Sequence, residues 1–170
     1  MEAHLAEQGI DLPLDAEVQP APHGPLAIPL QIGPHLETDN RFMILPMEGW
    51  DGTTDGLPTP DLRRRWLRFG GSGAGLVWCE ATAVAPEGRA NPNQLMINDR
   101  TAESLGKLRG EMVAERAKDF DGRALVAGLQ LTHSGRFSRP LGEPAPRIAY
   151  RNATLDERVP VTDASVFTDD

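Results

Sequence analysis

Three short apolar runs, separated by two stretches of helical periodicity, constrain this chain more than any other feature. Phe42 to Leu45, Ala74 to Ala81 and Ala124 to Leu131 lack the alternation of a half-exposed strand. Unbroken apolar runs of that length suit strands buried on both faces, as in a parallel sheet. The first is read as a strand over Arg41 to Met47, because Pro46 removes a ladder donor. Thr59-Pro60-Asp61 then marks a helix start: a threonine cap, proline at the first position and an acid in the first turn. Leu62, Trp66 and Phe69 share one helical face, and Gly70-Gly71 closes the helix. A second helix is expected from near Arg100, with Leu105, Leu108, Met112, Val113, Ala117 and Phe120 as its apolar stripe and Asp121-Gly122 as its end. The order strand, helix, strand, helix, strand implies an α/β fold with parallel strands and right-handed crossovers.

The flanks are less regular. Met1 to Pro25 is polar, acidic and rich in proline, and reads as a flexible arm (residues 1–25) ahead of a single domain over residues 26–170. Leu26 to Ile32, ending at Gly33-Pro34, is expected as a short strand and His35 to Asn40 as a turn, the two forming a hairpin. Thr132 to Asp170 carries Pro140, Pro144, Pro146 and Pro160 and reads as mostly loop, with a short strand at Arg158 to Thr162. Thr168-Asp169-Asp170 looks like a helix cap with an acidic first turn and no helix body after it, so the chain reads as a fragment of a longer one.

With 170 residues the chain has the length for one core. Seventeen Lys and Arg against 25 Asp and Glu give a net charge of -8, which argues against nucleic-acid or anionic-membrane partners. Arg63, Arg64, Arg65 and Arg68 still make a local basic face. No apolar run approaches a membrane span, and Met1 to Gln8 lacks the basic cluster of a secretory signal. The single cysteine, Cys79, excludes an internal disulfide and favours a reducing, cytoplasmic compartment. His4, His23, His35 and His133 show no metal-ligand spacing.

Candidate chemistry concentrates after the first strand. A polar loop follows Pro46, with Gly49, Gly52 and Gly56 for backbone freedom, Asp51 and Asp55 for turns, and the large aromatic Trp50. α/β enzymes present their chemistry at the C-terminal ends of their strands. Glu48 and Glu80 both fall at or just past strand ends. Paired carboxylates there serve acid/base hydrolysis, or each simply binds backbone donors or an arginine. Trp50 either stacks on a ligand or plugs the mouth. Gln130, near the end of an otherwise apolar strand, suits hydrogen bonding to a planar heterocycle, or to a neighbouring loop. Gly70 to Gly75 fails as a phosphate loop, since a helix precedes it and a strand follows. His133-Ser134 lacks a nucleophile elbow, and Cys79 in an apolar strand reads as an inert core thiol.

Three segments, in order and each at a strand end, carry a resemblance. They are Asn40-Arg41 with the apolar strand and Pro46-Met47; Gly73-Ala74-Gly75-Leu76 with Glu80-Ala81-Thr82-Ala83-Val84 and Pro86-Glu87-Gly88-Arg89; and Gln130-Leu131-Thr132-His133-Ser134-Gly135-Arg136. Together they resemble the old yellow enzyme family of flavin-dependent oxidoreductases. The resemblance implies an FMN-binding TIM (β/α)8 barrel, of which this chain would supply the N-terminal three βα units, the third incomplete; the early hairpin would close the barrel's bottom. It implies that Leu45, Pro46, Met47 and Glu48 line one side of the flavin ring, that Ala81 approaches it through its backbone, and that Gln130 bonds its pyrimidine edge. Trp50 falls where some members touch substrate. The implied reaction passes hydride from NAD(P)H through FMN to an acceptor, typically an alkene conjugated to a carbonyl, with a homo-oligomeric parent left open. Two departures stand out. Glu48 replaces a small Cys or Thr, which implies an altered potential or substrate range. A complete barrel runs to about 250 residues, and the family's substrate-anchoring His pair, proton-donating Tyr and phosphate-binding elements have no counterpart in these 170 residues. A barrel hydrolase using Glu48 and Glu80, and a non-catalytic remnant, remain as alternatives.

Overall fold

A computed structural model of the chain describes residues 2–12, 17–20, 22–120 and 125–168. A short helix, α1 (Glu2–Glu7), is followed by an antiparallel hairpin of β1 (Leu30–Ile32) and β2 (Leu36–Thr38), with Leu30 opposite Thr38. The expected hairpin is present, but its second strand occupies residues read as a turn. The side-chain amide of Gln31 donates to the carbonyls of Gly33 and Leu36, closing the turn early, and Gly33 takes φ 65°. Pro25 and Pro29 keep the residues before Leu30 out of the ladder.

Three parallel strands follow, β3 (Met43–Ile44), β4 (Leu76–Ala83) and β5 (Val126–Thr132), in the spatial order β3-β4-β5. They are joined by α2 (Pro60–Gly70) and α3 (Ala102–Ala117). The start of α2 follows its sequence signal: the Thr59 hydroxyl accepts from Leu62 N at 3.3 Å and Pro60 opens the helix. Gly70 lets α2 and α3 approach, since a Cβ there would lie 2.2 Å from the Met112 carbonyl oxygen. Leu62 and Trp66 of α2, with Leu105, Leu108 and Met112 of α3, cover one sheet face through Val77 and Cys79 of β4. Ile44, Ala127 and Leu129 pack against that cluster.

β4 is buried on both faces from Cys79 to Ala83, as expected, but β3 and β5 are not. The expected strand over Arg41 to Met47 pairs only at Met43 and Ile44, and Phe42, Met43, Leu45 and Met47 are exposed. Trp78 and Leu131 are also exposed. The helices cover a single face, and among the described residues nothing closes the sheet into a barrel. Within α3, Ala117 is exposed and Arg116 takes the buried position, 1% exposed. Its guanidinium donates to the Ala74 carbonyl at 2.8 Å, pairs with Asp39 at 2.5 Å and lies over the Phe120 ring. At the sheet's lower end Asn40 ties β3 to β4: its amide donates to Gly73 O and its oxygen accepts from Gly75 N.

Beyond β5 the described residues are mostly loop, as the prolines imply, with short 3-10 turns and a short α-helix, α4 (Ala153–Asp156), capped by Asn152. Arg158 to Pro160 is turn and no strand forms over Arg158 to Thr162; Pro160 denies the segment a ladder donor. Asp121-Gly122, Ala124 and Asp169-Asp170, read above as helix end, strand start and cap, lie outside the described residues. No helix among the described residues is long and apolar enough to cross a membrane.

Candidate functional site at the strand ends

The C-terminal ends of β3, β4 and β5 converge on one polar network. Its geometry starts from an irregularity in β4. Leu76 to Cys79 pair in register with Val126 to Leu129, Glu80 is skipped, and Ala81 then pairs with Gln130. A bulge of this kind adds one residue to a strand and reverses the alternation beyond it. Cys79 already faces α2, and Glu80 now does so as well. Glu80 is 4% exposed and its Oε1 accepts from Arg65 Nη2 at 2.8 Å and Trp66 Nε1 at 3.2 Å, both from α2.

Arg65 reaches further, into the loop after β3. Nη1 and Nη2 donate to the two oxygens of Asp51 at 2.6 and 2.9 Å, the bidentate geometry that suits guanidinium and carboxylate. That hydrogen bond holds the Asp51 carboxyl below the ordinary aspartate range. The Asp51 hydrogen bond, with support from Glu80, keeps Arg65 firmly cationic. Immediately before Asp51 stands Trp50, with its backbone at φ 53° and its indole 64% exposed. A left-handed backbone on a bulky residue costs about 1–3 kcal/mol and persists where its surroundings impose it. Exposed in this way, the indole does not plug the mouth.

Glu48 is held from the other side by two amides. Its oxygens accept from Asn91 Nδ2 at 3.4 Å and Gln94 Nε2 at 3.2 Å. Burial pushes its carboxyl above the ordinary glutamate range, and the nearby Glu80 charge adds to this, against the opposing side-chain bonds of Asn91, Gln94 and Trp50. Gln94 is the hub. It is 2% exposed, and its Nε2 also lies 3.3 Å from both Ala81 O and Thr132 Oγ1, while its Oε1 accepts from Ala90 N at 2.7 Å. One amide thus touches the ends of all three strand systems. Buried Arg89 cross-links the same loops by donating to the carbonyls of Thr53, Thr54 and Gln94. Gln94, Arg65 and Asp51 are not singled out as site residues by the sequence, where Asp51 shows as a turn former, Arg65 as part of a basic face, and Gln94 only by its nearness to the turn at Asn91-Pro92.

The remaining expected residues fall around this network. Leu45 and Met47 are 67% and 70% exposed, with Pro46 half-buried between them. Ala81 is buried and faces Gln130 across the β4–β5 ladder. Gln130 is exposed, and its amide has no hydrogen-bond partner among the described residues. Glu48 and Glu80 do not form a free acid/base pair, because Glu80 is buried against Arg65 and Trp66. His133 and Ser134 serve the backbone: His133 Nδ1 accepts from Gly135 N, and Ser134 N donates to Gly88 O. Arg136 is bound to Asp156 and to the Tyr150 carbonyl. Among the described residues no cluster could hold a metal ion.

No family model matches the chain. Several solved structures do. The old yellow enzyme homologue NCR from Zymomonas mobilis superposes with a TM-score of 0.58 at 23% identity, over 74% of this chain and 33% of that one. The Old Yellow Enzyme from Pichia sp. AKU4542 gives 0.59 at 24% identity, over 70% and 29%. Morphinone reductase gives 0.55 at 28% identity, over 74% and 32%. The chain therefore spans about a third of the length of the structures it matches. In fold this chain is similar to solved structures of old yellow enzyme homologues over about 70% of its length, a partial match consistent with an N-terminal portion of their barrel.

Proposed function

We propose that these residues form one wall of an FMN site in an oxidoreductase of the old yellow enzyme type, taking hydride from NAD(P)H and passing it to a small acceptor such as an activated alkene. The observation that carries this is the placement of Ala81 opposite Gln130 on adjacent parallel strands, with the exposed Leu45 to Met47 segment following β3 on the other side of β4. FMN, when bound, supplies the hydride chemistry. Leu45, Pro46 and Met47 offer the ring an apolar edge. The small side chain of Ala81 lets the strand backbone come close, and the Gln130 amide both donates and accepts toward a polar ring edge. Trp50, exposed at the mouth, is the platform for the acceptor. Glu48 stands beside this wall without an arginine partner among its hydrogen bonds. An ionised Glu48 opposes added negative charge nearby and so lowers the potential of a bound ring.

The hydrolase reading loses ground because it needs Glu80 free. The test is the visible spectrum of the purified chain and its titration with FMN. The expected result is bound flavin absorbance that weakens in Gln130→Leu. A colourless chain that binds no added FMN refutes the proposal and leaves a non-catalytic remnant. The Glu48 effect is tested separately in Glu48→Thr, where an unchanged potential of bound FMN refutes it.

A further inference from the structure

We propose that Arg65 is the positioning residue of the mouth: it holds the Gly49 to Asp51 segment so that Trp50 stands out from the strand ends. The inference rests on reading Trp50 as part of the ligand wall. Three observations converge on one guanidinium. It grips Asp51 through both carboxylate oxygens at 2.6 and 2.9 Å, immediately after Trp50. It lies against Gly49, immediately before Trp50, so closely that a Cβ there would fall 2.3 Å from Nη1 and 2.7 Å from Cζ. Its Nη2 also donates to Glu80 Oε1 at 2.8 Å, which anchors it to the bulge of β4.

Trp50 is thus flanked on both sides by contacts to the same side chain. Trp50 is the non-glycine residue with a positive φ among the described residues, and it lies inside this clamp. Its neighbours leave it 64% exposed, and its side-chain bond to Glu48 acts on the indole, not on the Gly49 and Asp51 backbone to either side. The fork of Arg65 holds both flanks. Arginine is required for shape as well as charge: a lysine ammonium cannot hold both Asp51 oxygens and Glu80 in one plane. Arg64, the preceding residue, pairs with Asp61 at the surface, reaches Asp51 only through its charge and makes no hydrogen bond to it, and serves as the control.

The test uses the full chain labelled with 5-fluorotryptophan. Its three tryptophans, Trp50, Trp66 and Trp78, are assigned by single Trp→Phe changes. The Trp50 resonance is expected to shift or broaden beyond its linewidth in Asp51→Asn, Gly49→Ala and Arg65→Lys, with Trp78 unmoved. Arg64→Ala should leave all three signals in place. Asp51→Asn keeps the Arg65–Glu80 contact, so Trp66 should hold its position there while moving in Arg65→Lys. A general loss of structure would move Trp66 and Trp78 together with Trp50. A wild-type Trp50 resonance in Asp51→Asn or in Gly49→Ala overturns the proposal. If one of these variants fails to fold, the other decides it. The readout needs no flavin, so a colourless chain with a clamped Trp50 separates failure of the FMN reading from failure of this one.

Discussion

Glu80→Gln separates a structural carboxylate from a catalytic one. Glu80 is 4% exposed and receives two side-chain donors, Arg65 Nη2 at 2.8 Å and Trp66 Nε1 at 3.2 Å. Glutamine keeps the shape and one acceptor oxygen but loses the charge. A hydrogen bond to a charged group contributes about 1.5–3 kcal/mol and a neutral one about 0.5–1.5, so the exchange should cost about 1–2 kcal/mol. Arg65 retains Asp51, so no uncompensated buried cation remains and the larger penalty for breaking an ion pair does not apply. Glu80→Ala also orphans the buried Trp66 N–H, adding about 1–3 kcal/mol. The two variants should therefore differ, with alanine the worse. At this chain length each kcal/mol lowers the melting midpoint by about 2–4 °C. Urea unfolding followed by far-UV circular dichroism reads both. A combined Asp51→Asn, Glu80→Gln variant should lose more than the sum of its parts, because only then is Arg65 left alone. Glu80→Gln as stable as the wild type, or equal losses for Gln and Ala, would refute the anchoring role.

Three further outcomes follow from the same structure. Glu48→Gln should gain stability relative to the wild type as pH rises. The folded-state Glu48 carboxyl titrates above its unfolded value, so its contribution is fully present in acid and is lost as pH climbs through the folded pKa. Parallel stability–pH curves for the two proteins would sink that sign. Cys79, pushed up to about 12 by burial, should resist Ellman's reagent at pH 8 until denaturant is added; rapid native labelling would contradict its placement. Arg116→Met should cost roughly 3–5 kcal/mol by taking the buried guanidinium away from Asp39 and the Ala74 carbonyl, measured by urea unfolding, and a loss below about 1 kcal/mol would show the pair to be dispensable.

The elements with the strongest local chemistry were legible in advance. Thr59-Pro60-Asp61 opens α2 where its cap and proline place it, because those groups act within one helical turn. The two helical stripes identified Leu62, Trp66, Leu105, Leu108 and Met112 as core, since periodicity reports which face is covered. Burial of β3 and β5 is overstated by the sequence for the same reason. An apolar run states what a strand tolerates, and the exposed side chains of Phe42, Met43 and Leu131 depend on whether a second layer is present. Arg116 was invisible as a core residue because its burial depends on Asp39 and Ala74, 77 and 42 positions away. Asn40 carried the family signal, yet it lies at the lower end of the sheet and joins β3 to β4. Gln94 and Arg65 could not be singled out from sequence, since nothing local distinguishes a hub amide from a surface one.

The bulge in β4 explains why the site was half readable. Strict alternation from Val77 would put Glu80 on the open face with Trp78, and would turn Ala81 toward the helices. Glu80 would then stand beside Glu48 as a free carboxylate, which is the arrangement the hydrolase reading requires. The extra residue instead sends Glu80 to Arg65 and Trp66 and gives Ala81 the open face opposite Gln130. One backbone irregularity therefore removes an acid/base pair and creates the small-residue and amide combination that suits a planar ring. No glycine or proline marks the bulge between Cys79 and Ala81, so only the ladder register reveals it. The same step moves Glu80 to where Arg65 meets it, and Arg65 is what grips Asp51 and leaves Trp50 standing at the mouth. Both proposals thus rest on one local feature, a single unpaired residue in the longest strand of the sheet.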